Sequence, residues 1–355
     1  MYLVSVIIPC YNGEKYLENI MSCLKAQTIG FENLEVIMVD HCSQDNSRTL
    51  IKQYEAQYEN VKGIYLDVNT GFASNSRNNG IKAASSEYVI LEDVDDFIMY
   101  DSIENLYKFM DETGVDFIKS DELAYINEKL YKFGYCVNTL TEYNKDNAVY
   151  NHMGSNIVMS SRKFLIENNI LFKDVALGDD ILFVLDLMLK TNKNYYIIPE
   201  PCHIYTYKEE TSLTHNVSVG SILSFIDVFD EIMDKSKHFN NQFIIDAYTT
   251  NILTFYSFIF TLKNFDKINV LKILHRLNKT QNDYIEYSSN IGGYFKLIHS
   301  LILKEKYSVL YILLRIIKIF YSRSIFMKFF RFKNFTDLTP EEFSRYKKYL
   351  PKQLR

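Results

Sequence analysis

The chain has 355 residues, a net charge of −5, 47% apolar residues, 28 tyrosines and 25 phenylalanines. That composition excludes a disordered or fibrous chain and leaves room for one large globular domain or two ordinary ones. The five cysteines (Cys10, Cys23, Cys42, Cys136, Cys202) are odd in number and never in C-x-x-C spacing, which argues against a disulfide framework or zinc site and for a reducing compartment.

The opening "MYLVSVIIPCYN" lacks a basic n-region and reaches Pro9 early, so it reads as a first strand and not as a signal peptide. "VSVIIP" (4–9), "LEVIMVD" (34–40), "GIYLD" (63–67) and "YVILED" (88–93) are apolar runs bounded by turn residues. Leu17, Ile20, Met21 and Leu24 follow helical spacing between the first two, and Leu50, Ile51 and Tyr54 do so between the next two. The pattern predicts an α/β fold, a mainly parallel sheet flanked by helices. Such sheets bind ligands at the carboxyl ends of their strands, here residues 9–12, 40–45, 67–71 and 92–96.

From 101 to 215 the pattern is mixed. "SIENLYKFMDE" reads as a helix, "DFIKSDEL" as a strand, then "RKFLIENN" and "ILFVLDLMLK" as helices. Helical periodicity takes over after 217, as in "SILSFIDVFDEIM". A boundary there divides residues 1–216, in two parts (1–100 and 101–216), from a C-terminal helical region, 217–355. Charge follows the same division: residues 296–333 carry nine Lys or Arg against one acid, while the body before them is acidic. No nucleic-acid partner is expected of that acidic body. "YSVLYILLRIIKIFY" (307–321) is interrupted by Arg315 and Lys318, short of the roughly 20 apolar residues that span a bilayer. With Arg323, Lys328, Arg331 and Lys333 after it, the basic amphipathic segment 296–333 reads as lying on an anionic membrane surface. The competing reading is a core helix with snorkelling basic ends.

Chemistry gathers at the strand ends. In "VILEDVDDFI" (89–98) a buried run is followed by Glu92, Asp93, Asp95 and Asp96. Asp93-x-Asp95 gives two carboxylates the reach for Mg²⁺ or Mn²⁺, hard ions that take further positions from phosphate oxygens and water. Alone, D-x-D is weak, since acidic loops are commonly just solvated. "NTGFASNSRNNGIKAA" (69–84) adds Gly71, Ser74, Asn75, Ser76 and Arg77, with Arg77 opening a helix. Donors and a guanidinium suit a phosphate or base; the alternative is a surface loop with Arg77 paired to an acid.

"VSVIIPCYNGEKYLENIMSCLKAQT", "LEVIMVDHCSQDNS", "NTGFASNSRNNGIKAASSEYVILEDVDDFI" and "GSNIVMSSRKFLIENNILF…LGDDILFVLDLML" together resemble the ordered motifs of a family 2 glycosyltransferase over residues 3–215. Within that family they are most similar to bacterial enzymes that decorate capsule or wall teichoic-acid polymers. The resemblance implies the GT-A fold and an inverting transfer of a hexose or N-acetylhexosamine from a UDP-sugar to a glycan, lipid-linked or polyol-phosphate acceptor. It also implies a divalent cation (Mn²⁺ or Mg²⁺) and a cytoplasmic enzyme, peripheral on the inner face of the plasma membrane. It leaves room for a homo-oligomer.

Residue by residue, the resemblance implies that Pro9, Tyr11 and Asn12 line the nucleobase pocket, that Asp40 accepts from uracil, and that Arg77 contacts base or diphosphate. Asp93 would hold ribose or metal-bound water and Asp95 the metal itself. Asp180 of "LGDD" would be the general base, with Asp179 orienting substrate and Gly178 allowing close backbone approach; two acids there also suit a plain helix N-terminus. "IYTYKEETSLTH" (204–215) offers Tyr207, Lys208 and Ser212 for diphosphate or acceptor, and His215, which reads better as structural. Met153–Ser155 either line the sugar pocket or form a turn. The chain departs from the pattern at His41-Cys42, at Asp179 where Glu is usual, and at Glu92, a normally apolar position where a carboxylate would tune the metal site or face water. Two alternatives remain. One is a non-catalytic sugar-nucleotide-binding or scaffold subunit. The other is a haloacid-dehalogenase-type phosphatase, for which Phe97 is the wrong residue.

Overall fold

A computed structural model of the chain describes residues 1–133, 136–137, 139–150, 153–156, 158–206, 218–262, 265–290, 293–321 and 335–354. Strand and helix alternate at first: β1 (Val4–Cys10), α1 (Glu14–Lys25), β2 (Leu34–His41), α2 (Ser47–Gln57), β3 (Val61–Leu66), α3 (Ala73–Ala83) and β4 (Tyr88–Leu91). β2 is buried at every position, as a strand covered on both faces must be. Along β1 the faces alternate. Ile7 packs with Ile37 and with Ile81 of α3, while Val6 and Ile8 join Leu17 and Ile20 of α1 and Ile51 of α2.

β1 lies between β2 and β4 and is parallel to both, and β3 is parallel to β2. The chain runs outward from β1 to β3, then returns to the other side of β1. The crevice between the ends of β1 and β4 is therefore a topological switch point, where open α/β sheets take their ligands.

Beyond β4 the sheet is mixed. β5 (Phe97–Ile98), α4 (Ser102–Thr113), β6 (Phe117–Ile126), β7 (Lys129–Phe133), β8 (Thr141–Tyr143), β9 (Val158–Ser161), α5 (Arg162–Glu167), α6 (Asp179–Lys190) and β10 (Tyr195–Thr206) follow. β9 runs antiparallel to both β4 and β6. β6 and β7 form a hairpin whose turn residues Asn127 and Glu128 have φ of 48° and 63°, the left-handed pair that matches strand twist in a two-residue turn. β10 pairs parallel with β6 and antiparallel with β5 and β8.

Helices α7 (Val219–Ser236), α8 (Asn241–Thr261), α9 (Lys267–Asp283), α10 (Gly293–Leu303) and α11 (Tyr307–Tyr321) come next. Ser218, Asn240 and Asp266 cap the first three by accepting from Ser221, Phe243 and Asn269 N–H groups. One apolar cluster runs from Ile7 in the sheet through Phe225 and Phe258 to Leu314, so the helices continue the core of the sheet. The region after 217, expected to be helical, also returns to the sheet. β11 (Phe335–Asp337) pairs antiparallel with β7, and α12 (Pro340–Lys347) starts with a Thr339/Glu342 capping box. Lys132 anchors that helix through Glu342 at 2.7 Å. No described helix is long and apolar enough to cross a membrane.

Candidate active site

A cleft of about 750 Å³ opens at the ends of β1 and β4, within the size range of small-molecule sites. Tyr11, Asn12, Arg77, Asp93, Asp95, Asp179 and Asp180 all line it, so residues up to 169 positions apart in sequence share one space.

The approach of α3 to β1 sets the position of Arg77. A Cβ on Gly80 would meet Ile7 Cγ2 at 2.2 Å, so only glycine lets the helix lie this close. Arg77 does not open α3, as the sequence suggested; the helix starts at Ala73, and Arg77 sits in its second turn, 7% exposed. Its Nη1 donates to Asp179 Oδ2 at 2.7 Å and its Nη2 to Asp93 Oδ1 at 3.1 Å. The guanidinium also stands over the Phe172 ring, 5.1 Å from its centre. Asp93 Oδ2 accepts from Asn156 Nδ2 at 2.9 Å. Burial raises the Asp93 carboxyl, but Arg77 and Asn156 outweigh it and hold the group below the usual carboxylate range. At an effective dielectric of about 20, an ion pair near 3 Å carries about 5 kcal/mol of attraction. That is enough to offset a desolvation cost of several kcal/mol.

Asp179 and Asp180 open α6, where the helix dipole favours acids. Their place is fixed by Gly178, whose φ is 87° and whose added Cβ would meet Val228 Cγ1 of α7 at 2.9 Å. Burial and the neighbouring Asp180 charge push the Asp179 carboxyl up to about 8, with Arg77 pulling the other way. Asp179 is thus committed to Arg77, while Asp180 also faces the cleft.

Protein cations divide the acid run. Asp93 belongs to Arg77. Glu92 does not face water: it is fully buried, and its Oε2 meets His203 Nδ1 at 3.0 Å. His203 Nε2 meets Asp96 Oδ2 at 3.2 Å, and Asp96 Oδ1 accepts from Thr206 N at 2.7 Å. Burial pushes Glu92 up to about 7, with His203 restraining the shift. Burial also opposes charge on His203, yet the carboxylates at both ring nitrogens hold it protonated well above the ordinary imidazole range. Asp95 lines the cleft beside Asp93; Asp96 also borders it, with its carboxylate bonded to His203 and Thr206 N.

Two nucleobase residues of the sequence reading stand behind the wall. Pro9 pairs with Val39 inside the sheet. Asp40 is fully buried, accepting from Arg48 Nε at 2.8 Å and Ser43 N at 3.3 Å. The unusual His41-Cys42 step has its own geometry. Cys42 takes a φ of 59°, and His41 Nε2 accepts from Thr70 N at 3.1 Å. Burial, opposed by Asp40, keeps the His41 imidazole below its usual value, the neutral form that an acceptor nitrogen requires. Met153–Ser155 are not in the cleft wall; Val158 N donates to Ser155 O at 3.2 Å, which is the turn alternative. Tyr207, Lys208, Ser212 and His215 lie outside the described residues.

The cleft also contains residues that the sequence did not single out. Lys15 and Tyr16 come from the first turn of α1 and Tyr205 and Thr206 from the end of β10, while Phe225, Thr254 and Phe258 come from α7 and α8. Asn156 was within reach of sequence reasoning, since it lies in the quoted "GSNIV" motif beside the D-x-D strand. The helical residues carry no motif; periodicity marks them as core without aiming them at a site.

A divalent cation fits this donor set. Among the described residues no three His, Cys, Asp or Glu side chains converge as a ready-made metal cage. Mg²⁺ and Mn²⁺ sites built on one or two carboxylates and completed by substrate phosphates need no such cage. Asp95 faces the cleft, with Asp93 beside it held by Arg77 and Asn156.

Residues 5–172 match the family model described as glycosyl transferase family 2. The chain is 32% identical over 198 residues to the poly(ribitol-phosphate) beta-glucosyltransferase of Bacillus spizizenii, covering 54% of this chain and 30% of that protein. It is 28% identical over 273 residues to the poly(ribitol-phosphate) beta-N-acetylglucosaminyltransferase TarP of Staphylococcus aureus, covering 71% of this chain and 80% of that one. It is 39% identical over 111 residues to the minor teichoic acid biosynthesis protein GgaB of Bacillus subtilis, covering 31% of this chain and 12% of that protein. The chain thus spans less than a third of the Bacillus relatives' length. Among solved structures, S. aureus TarS 1–349 in complex with UDP-GlcNAc matches with a TM-score of 0.66 at 20% identity, covering 87% of this chain and 89% of that one. The observed fold, a mixed sheet flanked by helices, is the GT-A fold that the motifs implied.

Proposed function

We propose, for a chain whose residues 5–172 match the family 2 glycosyl transferase model, that it moves a hexose or N-acetylhexosamine from a UDP-sugar to a hydroxyl of a teichoic-acid-type, polyol-phosphate acceptor. The observation that carries this reading is one cleft holding Asp95 on one side, Asp180 on another, and Arg77 tied to the neighbour of each. The matched relatives named as beta-transferases of poly(ribitol-phosphate) support the acceptor class and a β-linked product.

In this reading the sugar's anomeric carbon lies between the donor's diphosphate and the acceptor. Asp180 takes the proton of the acceptor hydroxyl as that oxygen bonds to the anomeric carbon. The bond from that carbon to the UDP oxygen breaks on the opposite face, and UDP leaves with the electron pair. A single displacement inverts the centre, turning an α-linked donor into a β-glycoside. Arg77 fixes Asp179 beside the base and adds positive charge near the diphosphate. Asp95, with Asp93 behind it, would hold Mn²⁺ or Mg²⁺, which supplies charge neutralisation for the departing diphosphate. Tyr11 and Asn12 flank the nucleotide end. The apolar side of the cleft (Leu177, Ile181, Phe225, Phe258) excludes water from the sugar.

Location belongs to the same proposal: a cytoplasmic enzyme resting on the inner membrane face through the basic segment 296–333, of which residues 322–333 lie outside the described residues. Calorimetric titration with UDP in the presence of Mn²⁺ or Mg²⁺, followed by UDP release over a panel of UDP-sugars and polyol-phosphate acceptors, tests the reading. No UDP binding with either cation would end it.

A further inference from the structure

The Glu92–His203–Asp96 trio has no part in the transfer chemistry just described, and stability alone does not explain it. All three side chains are at most 4% exposed, and Glu92 Oε1 has no hydrogen-bond partner among the described residues. Burying such a cluster costs several kcal/mol per ion, and replacing a buried ion pair with apolar residues of similar size is often neutral or stabilising. A fold seeking only stability would be served as well by leucine at these sites.

Its connections point to position. Glu92 and Asp96 bracket Asp93 and Asp95, two cleft-lining acids, with Val94 between those two. His203 is on β10, opposite Ile98 of β5. The β10–β6 register breaks on both sides of Pro201, between Ile198 and His203. Such irregularities re-aim a side chain, and here Cys202, His203 and Ile204 are all buried in succession, which regular alternation in a half-exposed strand would not give. The re-aimed imidazole meets the loop at both ends: Nδ1 at Glu92 and Nε2 at Asp96. Asp96 in turn accepts from Thr206 N on the same strand, and the loop closes internally through Asp96 N donating to Asp93 O at 3.2 Å.

We infer that His203 is a positioning residue: bridging Glu92 and Asp96, it holds the Asp93–Asp95 loop in the one arrangement that accepts a divalent cation and a nucleoside diphosphate together. The inference rests on the transferase reading above. It accounts for Glu92, whose carboxylate directly after the apolar strand β4 is the partner that a buried histidine on β10 requires. Outer residues that orient metal-binding carboxylates typically govern affinity by about 10–100-fold.

The test uses the full chain and measures UDP affinity by calorimetry across a Mn²⁺ titration, with thermal unfolding alongside. His203→Gln keeps a donor toward Asp96 and loses Glu92. The double variant Glu92→Leu/His203→Leu removes the Glu92–His203 pair at nearly constant volume and leaves Asp96 with Thr206 N as its remaining partner, so its unfolding midpoint is read beside its affinity. UDP affinity at limiting Mn²⁺ should fall about tenfold in His203→Gln and toward 100-fold in the double variant. Part of that loss should be recovered at high Mn²⁺, whereas a loss from general loosening would ignore the cation. Glu92→Gln, with an amide oxygen left for the imidazole, should keep affinity within about threefold. A folded double variant with wild-type affinity and Mn²⁺ requirement overturns the inference; should that variant not fold, wild-type affinity in His203→Gln overturns it equally. A wild-type chain that binds no UDP with Mn²⁺ overturns the transferase reading, and the inference with it.

Discussion

The strand-end side of the cleft carries its charge in a tight sequence of acids, Asp93, Asp95 and Asp96, with Asp179 and Asp180 facing them. The side supplied by α7 and α8 is Phe225, Thr254 and Phe258, without a titratable group. One side is held by polar contacts: Arg77 pairs with Asp93 and donates to Asp179, and His203 bridges Asp96 and Glu92. The other is held by packing, with Phe225 and Phe258 edge-to-face at 5.3 Å inside the main core. The difference separates two tasks. Charged groups act on bonds and phosphates and must be exact in orientation, whereas the aromatic side sets shape and dryness. Substitution of the acid that acts on the acceptor should therefore change rate, whereas substitution on the aromatic side should change substrate affinity.

The largest effect is expected at Asp180. Asp180→Asn removes the proton acceptor while keeping volume, and transfer should fall by about 10²–10⁴-fold with UDP affinity nearly unchanged. A large loss of UDP binding would remove Asp180 from the role of base. Arg77 comes next. Arg77→Ala leaves Asp93 and Asp179 facing each other uncompensated, and breaking a largely buried pair in this way costs on the order of 3 kcal/mol, visible in denaturant unfolding. Since Asp93 is about a third exposed (31%), solvent relieves part of that cost; Arg77→Lys should recover charge but not the two-armed geometry.

The contrast also explains what the sequence made legible. Asp93, Asp95, Asp179 and Asp180 follow directly from strand ends and a helix start, because local chain geometry aims them. The parallel order around β1 follows from alternating apolar runs. Arg77 was legible as a residue but not as a bridge, because its partners are 16 and 102 residues away. Glu92 looked anomalous because His203, which answers it, is 111 residues on, and its aim depends on a strand irregularity that no local pattern announces. Phe225, Thr254 and Phe258 were illegible for the opposite reason, since a helix that buries an apolar face looks the same whether it covers core or a ligand. The return of β11 to β7 is likewise a long-range pairing of a three-residue strand, too short for periodicity to register.

Acidity offers an intermediate test. Burial and the Asp180 charge push the Asp179 carboxyl up to about 8 in the folded chain, whereas in the unfolded chain it lies at about 4. The folded state binds more protons throughout that window, so this group makes stability fall as pH rises through it. Asp179→Asn should flatten the decline in unfolding midpoint between about pH 5 and 8. Parallel curves for variant and wild type would show that the proton is held elsewhere. On the packed side, Phe258→Leu should cost about 1 kcal/mol of stability and raise the substrate KM several-fold with kcat within about twofold, the sign of lost uniform binding. A fall in kcat alone would mean that the aromatic side takes part in the transition state.

The smallest effect on transfer is expected farthest from the cleft. On α11, Tyr307, Leu310 and Leu314 turn inward, whereas Val309, Ile312 and Ile316 are 57%, 60% and 48% exposed. These three fall at i, i+3 and i+7, one face of the helix, with Arg315 exposed among them and Lys304 and Lys306 just before. Water gains nothing from that face. An anionic lipid surface would receive both its apolar and its basic groups. Each aliphatic side chain is worth about 1.5–3 kcal/mol when fully buried, and partial insertion of three gives reversible docking, not anchoring. Val309→Ser/Ile312→Ser/Ile316→Ser should therefore reduce co-sedimentation with phosphatidylglycerol vesicles by about tenfold or more, since 1.4 kcal/mol is already tenfold. Docking by the intact chain should weaken with salt. Transfer to a soluble acceptor should stay within about twofold in the variant, because none of the three side chains lines the cleft. Vesicle binding that survives all three serines would leave the exposed face of α11 without a membrane role, and a parallel loss of transfer in solution would tie that face to the cleft.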